Sequence, residues 1–523
     1  MRCNGKLISW TLLVLLLVAL AACGGGGGEA PGLLDGGDAP GGTVGIGVGA
    51  GGGGGSTDAC GDGVPAGTGP LFSEQQAYVK ASNAQASEGF GGALALSANG
   101  NVLVVGARGD WDGANGFAAI QDDDSQTSTG AAYVFTRSGT TWTQRAHLRP
   151  SNLNVGDGFG VAVAVSGDGN TIAIGAYGDS SVASASGAVY VFVCSAGSWS
   201  QQAYIKASNA RAGDQFGANV SLSDEGNTLA VGAPNQDSNS GTVYVFTRGG
   251  AAWTEQAYVK ASNTGAGDSF GSAVRLSSDG DTLAVGAFNE DSAATGVNGN
   301  QADNSARDAG AVYVFTRSGA IWSQQAYVKA SNTDAGDDFG LHLALSGDGN
   351  TLAVGARGEA SASTGIGGNE TDNSAEFAGA VYVFTRSGAT WTQQAYVKAS
   401  NAQTDDRFGR SVALSADGNV LVVGAVDESG GATGIDGNQS SNRAGLSGAA
   451  YEFVRSGGVW TQVRYLKASN TGARDFFGWS IALSSDASTL AVGAPDEDSA
   501  ATGIDGNQAD DSLVSAGAVY VFR

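Results

Sequence analysis

Four stretches of the chain share a Thr-Gly-x-x-Gly-Asn pattern, and three of them set Asp or Asn at alternate positions around glycine. They are Thr295-Gly296-Val297-Asn298-Gly299-Asn300, Thr364-Gly365-Ile366-Gly367-Gly368-Asn369, Thr433-Gly434-Ile435-Asp436-Gly437-Asn438 and Thr502-Gly503-Ile504-Asp505-Gly506-Asn507. Oxygen donors at that spacing suit calcium, a hard cation that takes several oxygen ligands. The expected ligands are Asp436, Asn438, Asp505, Asn507 and Asp510. The same residues equally suit Asx turns that order a long loop without an ion. A second candidate is Trp111, flanked by Asp110 and Asp112 and without a counterpart elsewhere in the chain. A loop aromatic beside carboxylates can contact a sugar or a protein, or tuck beneath its own loop.

Signals for catalysis are sparse. The two histidines, His147 and His342, stand at unrelated positions, so neither a zinc cluster nor a histidine-based triad assembles from them. No G-x-S-x-G elbow occurs. The G-x-G-x-x-G spacing of Gly47, Gly49 and Gly52 lies in a glycine-rich tract with no strand before it and no helix after it. Carboxylates are so numerous that no single pair stands out as a glycosidase couple.

The elements that must position these residues repeat. Phe-Gly pairs begin at Phe90, Phe159, Phe216, Phe270, Phe339, Phe408 and Phe477, at intervals of 69, 57, 54, 69, 69 and 69 residues. Each unit has four short runs rich in Val, Leu, Tyr and Phe, separated by turn residues, which predicts four antiparallel strands, a to d. In the fifth unit these are Leu343 to Leu345, Thr351 to Ala356, Gly379 to Phe384 and Trp391 to Lys398. Between the alanine closing b and the glycine opening c lie 22, 10, 7, 22, 22, 22 and 22 residues, so one loop absorbs the whole variation in period. The last unit has no strand d after Phe522, while Gln75 to Lys80 is a strand d with no unit before it. A ring closed by that displaced strand satisfies both, which predicts an all-β, seven-bladed β-propeller.

The seven Phe-Gly pairs, the Val-Gly-Ala triplets such as Val354-Gly355-Ala356, and the Gly-Ala-Val-Tyr-Val-Phe strands resemble the FG-GAP repeats that also build the integrin α-subunit propeller. The resemblance covers Leu71 to Arg523 and implies a propeller used for recognition or adhesion. Integrin-type propellers bind calcium between the first two strands of a blade. Here that position holds only turns such as Gly347-Asp348-Gly349-Asn350, too short to supply the ligands. The acids sit instead in the b–c loops, which hold 5, 1, 1, 4, 4, 3 and 6 of them, and two residues before each Phe-Gly pair. Strand alternation puts b–c and d–a loops on one face, which is therefore expected to be acidic. The tryptophans that open each strand d read as packing, and Trp479 as core.

Residues 1–22 read as a signal peptide: Arg2 and Lys6 precede a short apolar run that ends in small residues. Leu20-Ala21-Ala22-Cys23 resembles the lipobox of bacterial lipoproteins, which implies lipidation at Cys23. Gly24 in the next position implies the outer membrane. Residues 23–70 read as a glycine-rich tether, and 71–523 as the propeller. An oxidising compartment would allow Cys60 and Cys194 to pair.

The formal charge of −24 excludes a nucleic-acid partner by phosphate repulsion. The expectation is a monomeric recognition or adhesion module on the cell envelope or surface. It is held to the membrane through the lipid alone and takes an extracellular protein or glycan, with calcium as a candidate ion. The alternatives are a carbohydrate-active hydrolase or lyase, signalled by an acid, aromatic and basic cluster in the funnel, and an envelope protein without a ligand.

Overall fold

A computed structural model describes residues 72–109, 129–150, 152 and 154–523. Its strands form seven four-stranded antiparallel sheets, six of them built from consecutive strands. The seventh takes its outer strand, Gln75–Val79, from the other end of the described chain; it pairs with Ala518–Phe522. Strands a of successive blades pack on one another, and the strand a Ser480–Leu483 of blade 7 packs back on Ala93–Leu96 of blade 1.

The repeat residues explain the ring. Each Phe of Phe-Gly is fully buried and meets two strand-c aromatics edge-on, as Phe339 meets Tyr382 at 5.6 Å and Phe384 at 6.2 Å. Each core cluster is shared by neighbouring blades: Val312 and Val314 of blade 4 pack with Phe339, Tyr382 and Phe384 of blade 5. Across the closure, Val79 and Val519 pack with Phe90 and Tyr133. A fully buried aromatic or aliphatic side chain contributes roughly 1.5–3 kcal/mol, so these interfaces supply the main cohesion.

Main-chain bonds join the a–b turns into a closed circle. The N–H groups of Ala98, Gly167, Asp224, Ser278, Gly347, Ala416 and Ser485 each donate to the next blade's turn at 2.9–3.0 Å, and Ser485 returns to the carbonyl of Ala98. On the opposite face, d–a loops bond to the preceding b–c loops, as Phe339 N–H does to the Ala309 carbonyl at 3.1 Å.

Five of the strand-d tryptophans, Trp142, Trp253, Trp322, Trp391 and Trp460, bolt one blade to its predecessor. Trp391 Nε1 donates to Gln325 Oε1 at 2.9 Å, while the Arg386 guanidinium lies over the Trp391 ring at 5.4 Å. In blade 2 that arginine position is Cys194, which is disulfide-bonded to a cysteine outside the described residues.

Candidate functional site

Most of the acids of the loop face belong to the framework. The seven residues ahead of the Phe-Gly pairs, Glu88, Asp157, Asp214, Asp268, Asp337, Asp406 and Asp475, are all buried, so they add nothing to an exposed acidic rim. Six of them fold the d–a loop: Asp337 Oδ2, for example, accepts the Asp334 N–H at 2.9 Å. Burial pushes the carboxyls of Asp337 and Asp406 up to about 7, and those of Asp157, Asp268 and Asp475 to about 6, even against these hydrogen bonds.

A second buried set was not legible in the sequence. Glu290, Glu359, Glu428 and Glu497 open the b–c loops of blades 4 to 7 and pair with the lysine that ends strand d: Lys329, Lys398, Lys467 and Lys80, at 2.9, 2.7, 2.9 and 2.8 Å. All eight residues are buried. The network extends through the strand-d tyrosine and the d–a asparagine. Tyr396 Oη donates to Glu359 at 2.7 Å, Asn332 Nδ2 reaches the same carboxylate at 3.4 Å, and Tyr382 Oη donates to Asn332 Oδ1 at 2.5 Å. Charge and hydrogen bonding close on themselves inside each blade.

The residues expected to hold calcium act as turn formers. Asp436 Oδ1 accepts the Tyr465 N–H at 3.1 Å, and Asp505 Oδ1 accepts the Tyr78 N–H at 2.9 Å. Both have positive φ, 53° and 52°, and their own N–H groups bond back to the same tyrosine carbonyls at 2.8 Å. Each loop is thereby pinned to strand d of its blade. Asn438 Oδ1 accepts the Ser440 N–H, Asn507 Oδ1 the Ala509 N–H, and Asp510 Oδ1 the Ser512 N–H, at 3.0, 3.2 and 3.1 Å. Among the described residues no three His, Cys, Asp or Glu side chains converge as metal ligands. These bonds are those of Asx turns. Asp110, Trp111, Asp112 and Cys23 lie outside the described residues.

The site that does converge lies in the central channel, at the end where the d–a and b–c loops emerge. A cavity of about 390 Å³ is lined there by Arg108, Asn219, Arg275, His342, Arg410 and Trp479, among others. Trp479 was expected in the core. It is instead partly exposed, because its position just ahead of strand a lines the channel, and Arg410 lies over its ring at 4.1 Å. Arg410 Nη1 is 2.7 Å from His342 Nε2. An arginine only donates, so this nitrogen accepts and the imidazole carries its proton on Nδ1. Burial, with Arg410 nearby, holds His342 well below the usual histidine range, which keeps the ring neutral. Arg275 Nη1 bonds to the Val274 carbonyl at 2.8 Å and to Asn219 Oδ1 at 3.3 Å.

Two arginines of the rim are neutralised, Arg357 by Asp338 at 2.8 Å and Arg407 by Asp427 at 3.1 Å. Among the described residues no carboxylate lies within ion-pair distance of Arg108, Arg275 or Arg410, and Asp496 is the one carboxylate in the cavity wall.

A signal for this cluster exists in the sequence. Aligning the seven strands a, Arg275 stands where the others have Ala95, Ala164, Ser221, Ala344, Ala413 and Ala482. Arg410 and Trp479 replace Gly92, Val161, Ala218, Ser272 and Leu341. The functional candidates are the positions that break the repeat.

A model of the FG-GAP repeat matches residues 142–192, 199–246, 253–315, 322–384, 391–453 and 460–522. Each match runs from strand d of one blade through strand c of the next. No curated protein matches the chain. Among solved structures, one of a candidate 6-phosphogluconolactonase from Bacteroides uniformis aligns at 14% identity and a TM-score of 0.45, over 75% of this chain and 94% of that one.

Proposed function

The chain belongs to the FG-GAP repeat family, and on that premise we propose that it is a cell-envelope recognition or adhesion module that takes an extracellular protein or glycan on its loop face. The observation that carries this is the set of four consecutive b–c loops in blades 4 to 7, equal in length and each pinned to strand d. Backbone bridges Val297–Val328, Ile366–Val397, Ile435–Leu466 and Val79–Ile504 hold them. Loops fixed before binding lose little entropy on engagement, which suits a recognition surface. With the framework acids buried, the rim still exposes Glu376, Asp436, Asp505 and Asp511, and Val514 is 62% exposed among them. A carbohydrate-active enzyme would need two carboxylates flanking a scissile bond, and the channel wall supplies Asp496 alone among the described residues.

The test is an array of glycans and extracellular proteins probed with the parent and with Glu376→Gln/Asp511→Asn. The expected result is a ligand whose binding the double variant weakens. Failure of every ligand, or equal binding by both proteins, removes the loop face from the proposal.

Attachment through Cys23 belongs to the same proposal. No helix among the described residues is long and apolar enough to cross a membrane. A Cys23→Ala variant should move from the membrane pellet to the soluble fraction. Continued sedimentation with membranes excludes the lipid as the anchor.

A further inference from the structure

We propose that the central cavity is a binding site for a small oxyanion-bearing ligand, held by Arg275 and Arg410 with His342 Nδ1–H as a further donor and Trp479 as its apolar wall. The site is distinct from the rim of the loop face and does not depend on it.

Three observations meet here. The first is charge. The chain carries −24 overall, yet among the described residues the cavity wall holds three arginines against one carboxylate. Cations collected in a narrow channel of an acidic protein repel one another and lose hydration, a cost that an anion would offset. Arg410 is held down at about 10 by burial and by Arg357, and burial alone lowers Arg275.

The second is geometry. Arg410 is stacked on Trp479 and bonded to His342, so its guanidinium is fixed in place before any ligand arrives. Arg275 is fixed by Asn219 and by the Val274 carbonyl. Each of these bonds uses Nη1, which leaves Arg275 and Arg410 with guanidinium N–H groups that have no protein partner among the described residues. Forked donors of this kind match a carboxylate, sulfate or phosphate.

The third is the repeat. Asn219, Arg275, His342 and Arg410 come from strand a of blades 3, 4, 5 and 6, Trp479 immediately precedes strand a of blade 7, and the equivalent positions of the other blades are mostly small. A ring of blades needs none of these side chains for closure. A cavity of about 390 Å³ suits a ligand the size of a single acidic sugar.

The experiment is titration calorimetry and thermal melting of the full chain with four probes: glucuronate, glucose, inorganic sulfate and inorganic phosphate. Glucuronate is expected to bind and to raise the melting temperature, while glucose does neither. Binding by sulfate or phosphate but not glucuronate would assign the site to a free inorganic anion rather than to a sugar acid, and would still support an oxyanion site. Arg275→Gln and Arg410→Gln should each weaken the effective anion by about tenfold or more, the value of one charge-assisted contact. Both variants should melt no lower than the parent without ligand, since each removes a half-buried cation that has no carboxylate partner among the described residues; this shows that they fold. Glu376→Gln/Asp511→Asn should bind the anion like the parent. No response to any of the three anions, or an equal response from folded arginine variants, overturns the proposal.

Discussion

The carbonyl oxygen of Gly409 lies 2.1 Å from the point where a Cβ on Gly355 would sit. Gly355 belongs to the Val-Gly-Ala triplet of blade 5 and Gly409 to the Phe-Gly pair of blade 6, so the two halves of the repeat motif are the two sides of one contact. The same approach recurs around the ring, and Gly493 meets the Gly91 oxygen at 2.2 Å where blade 7 meets blade 1. Gly355→Ala should therefore destabilise by about 2 kcal/mol or more, since a methyl group cannot be accommodated without moving a blade. Gly445, with nothing within 4 Å of a built Cβ, is the control, and Gly445→Ala should leave the denaturation midpoint unchanged.

The Lys398–Glu359 pair gives a second prediction. Lys398→Met alone leaves a buried carboxylate facing an apolar side chain, and should cost about 3–5 kcal/mol. Adding Glu359→Leu removes the stranded charge and should recover part of that loss. Chemical denaturation of the two variants decides it: equal midpoints would mean that the pair does not act as a unit.

Mild acid should stabilise the protein. Asp337 and Asp406 titrate near 7 in the folded chain, above the ordinary aspartate value, so the folded state holds their protons more tightly than the unfolded chain does. Their stabilising contribution is complete below about pH 4 and is lost as pH rises through about 7. The opposing group is the a–b turn aspartates Asp168, Asp348 and Asp417. Burial would raise them, but bonds from the adjacent Ser and Asn outweigh it and hold them low, so their contribution is lost only in stronger acid. Melting temperature should thus rise as pH falls from 8 to about 5.5. Asp337→Asn/Asp406→Asn should flatten that rise and melt higher than the parent at pH 8.

Removing residues 72–80 should lower the melting temperature clearly. It takes away the outer strand of blade 7, the Tyr78 and Lys80 bonds to Glu497 at 2.7 and 2.8 Å, and the anchor of the Asp505 turn. Glu497 would be left buried without its cation. An unchanged melt would show that this blade does not need its fourth strand.

Calcium is expected to raise the melting temperature no more than magnesium does. Asp436 and Asp505 each commit Oδ1 to a strand-d N–H, and the loops are already ordered by these bonds. A clear excess for calcium that Asp505→Ala abolishes would restore these loops as an ion site.

The fold was legible in the sequence because its signals are local and repeated: Phe-Gly and alternating Tyr and Phe recur seven times, and Val-Gly-Ala six times with Ile174-Gly175-Ala176 as the seventh. What stayed hidden depends on neighbours far away in sequence. The lysine of Tyr396-Val397-Lys398 reads as a surface charge until the b–c loop of its own blade lays Glu359 over it, 39 residues upstream. The aspartates before Phe-Gly look like any exposed loop acid, and only the d–a turn reveals them as buried acceptors. The sequence offered both an ion and an Asx turn for Asp436 and Asp505, and it could not show the strand-d amide that takes one oxygen of each. The channel cluster draws on five blades: Arg275, Arg410 and Trp479 stand out as breaks in the repeat, but only the ring shows that they face one cavity.

The circle of bonds through Ala98, Gly167, Asp224, Ser278, Gly347, Ala416 and Ser485 has no first or last member. Each blade contributes one donor and one acceptor, so duplication or loss of a whole 69-residue unit would leave every main-chain group in the circle matched. Hydrogen bonding therefore cannot count the blades. The number seven has to be enforced by angle, through the close Gly-to-Gly contacts that set how far each sheet turns from the next.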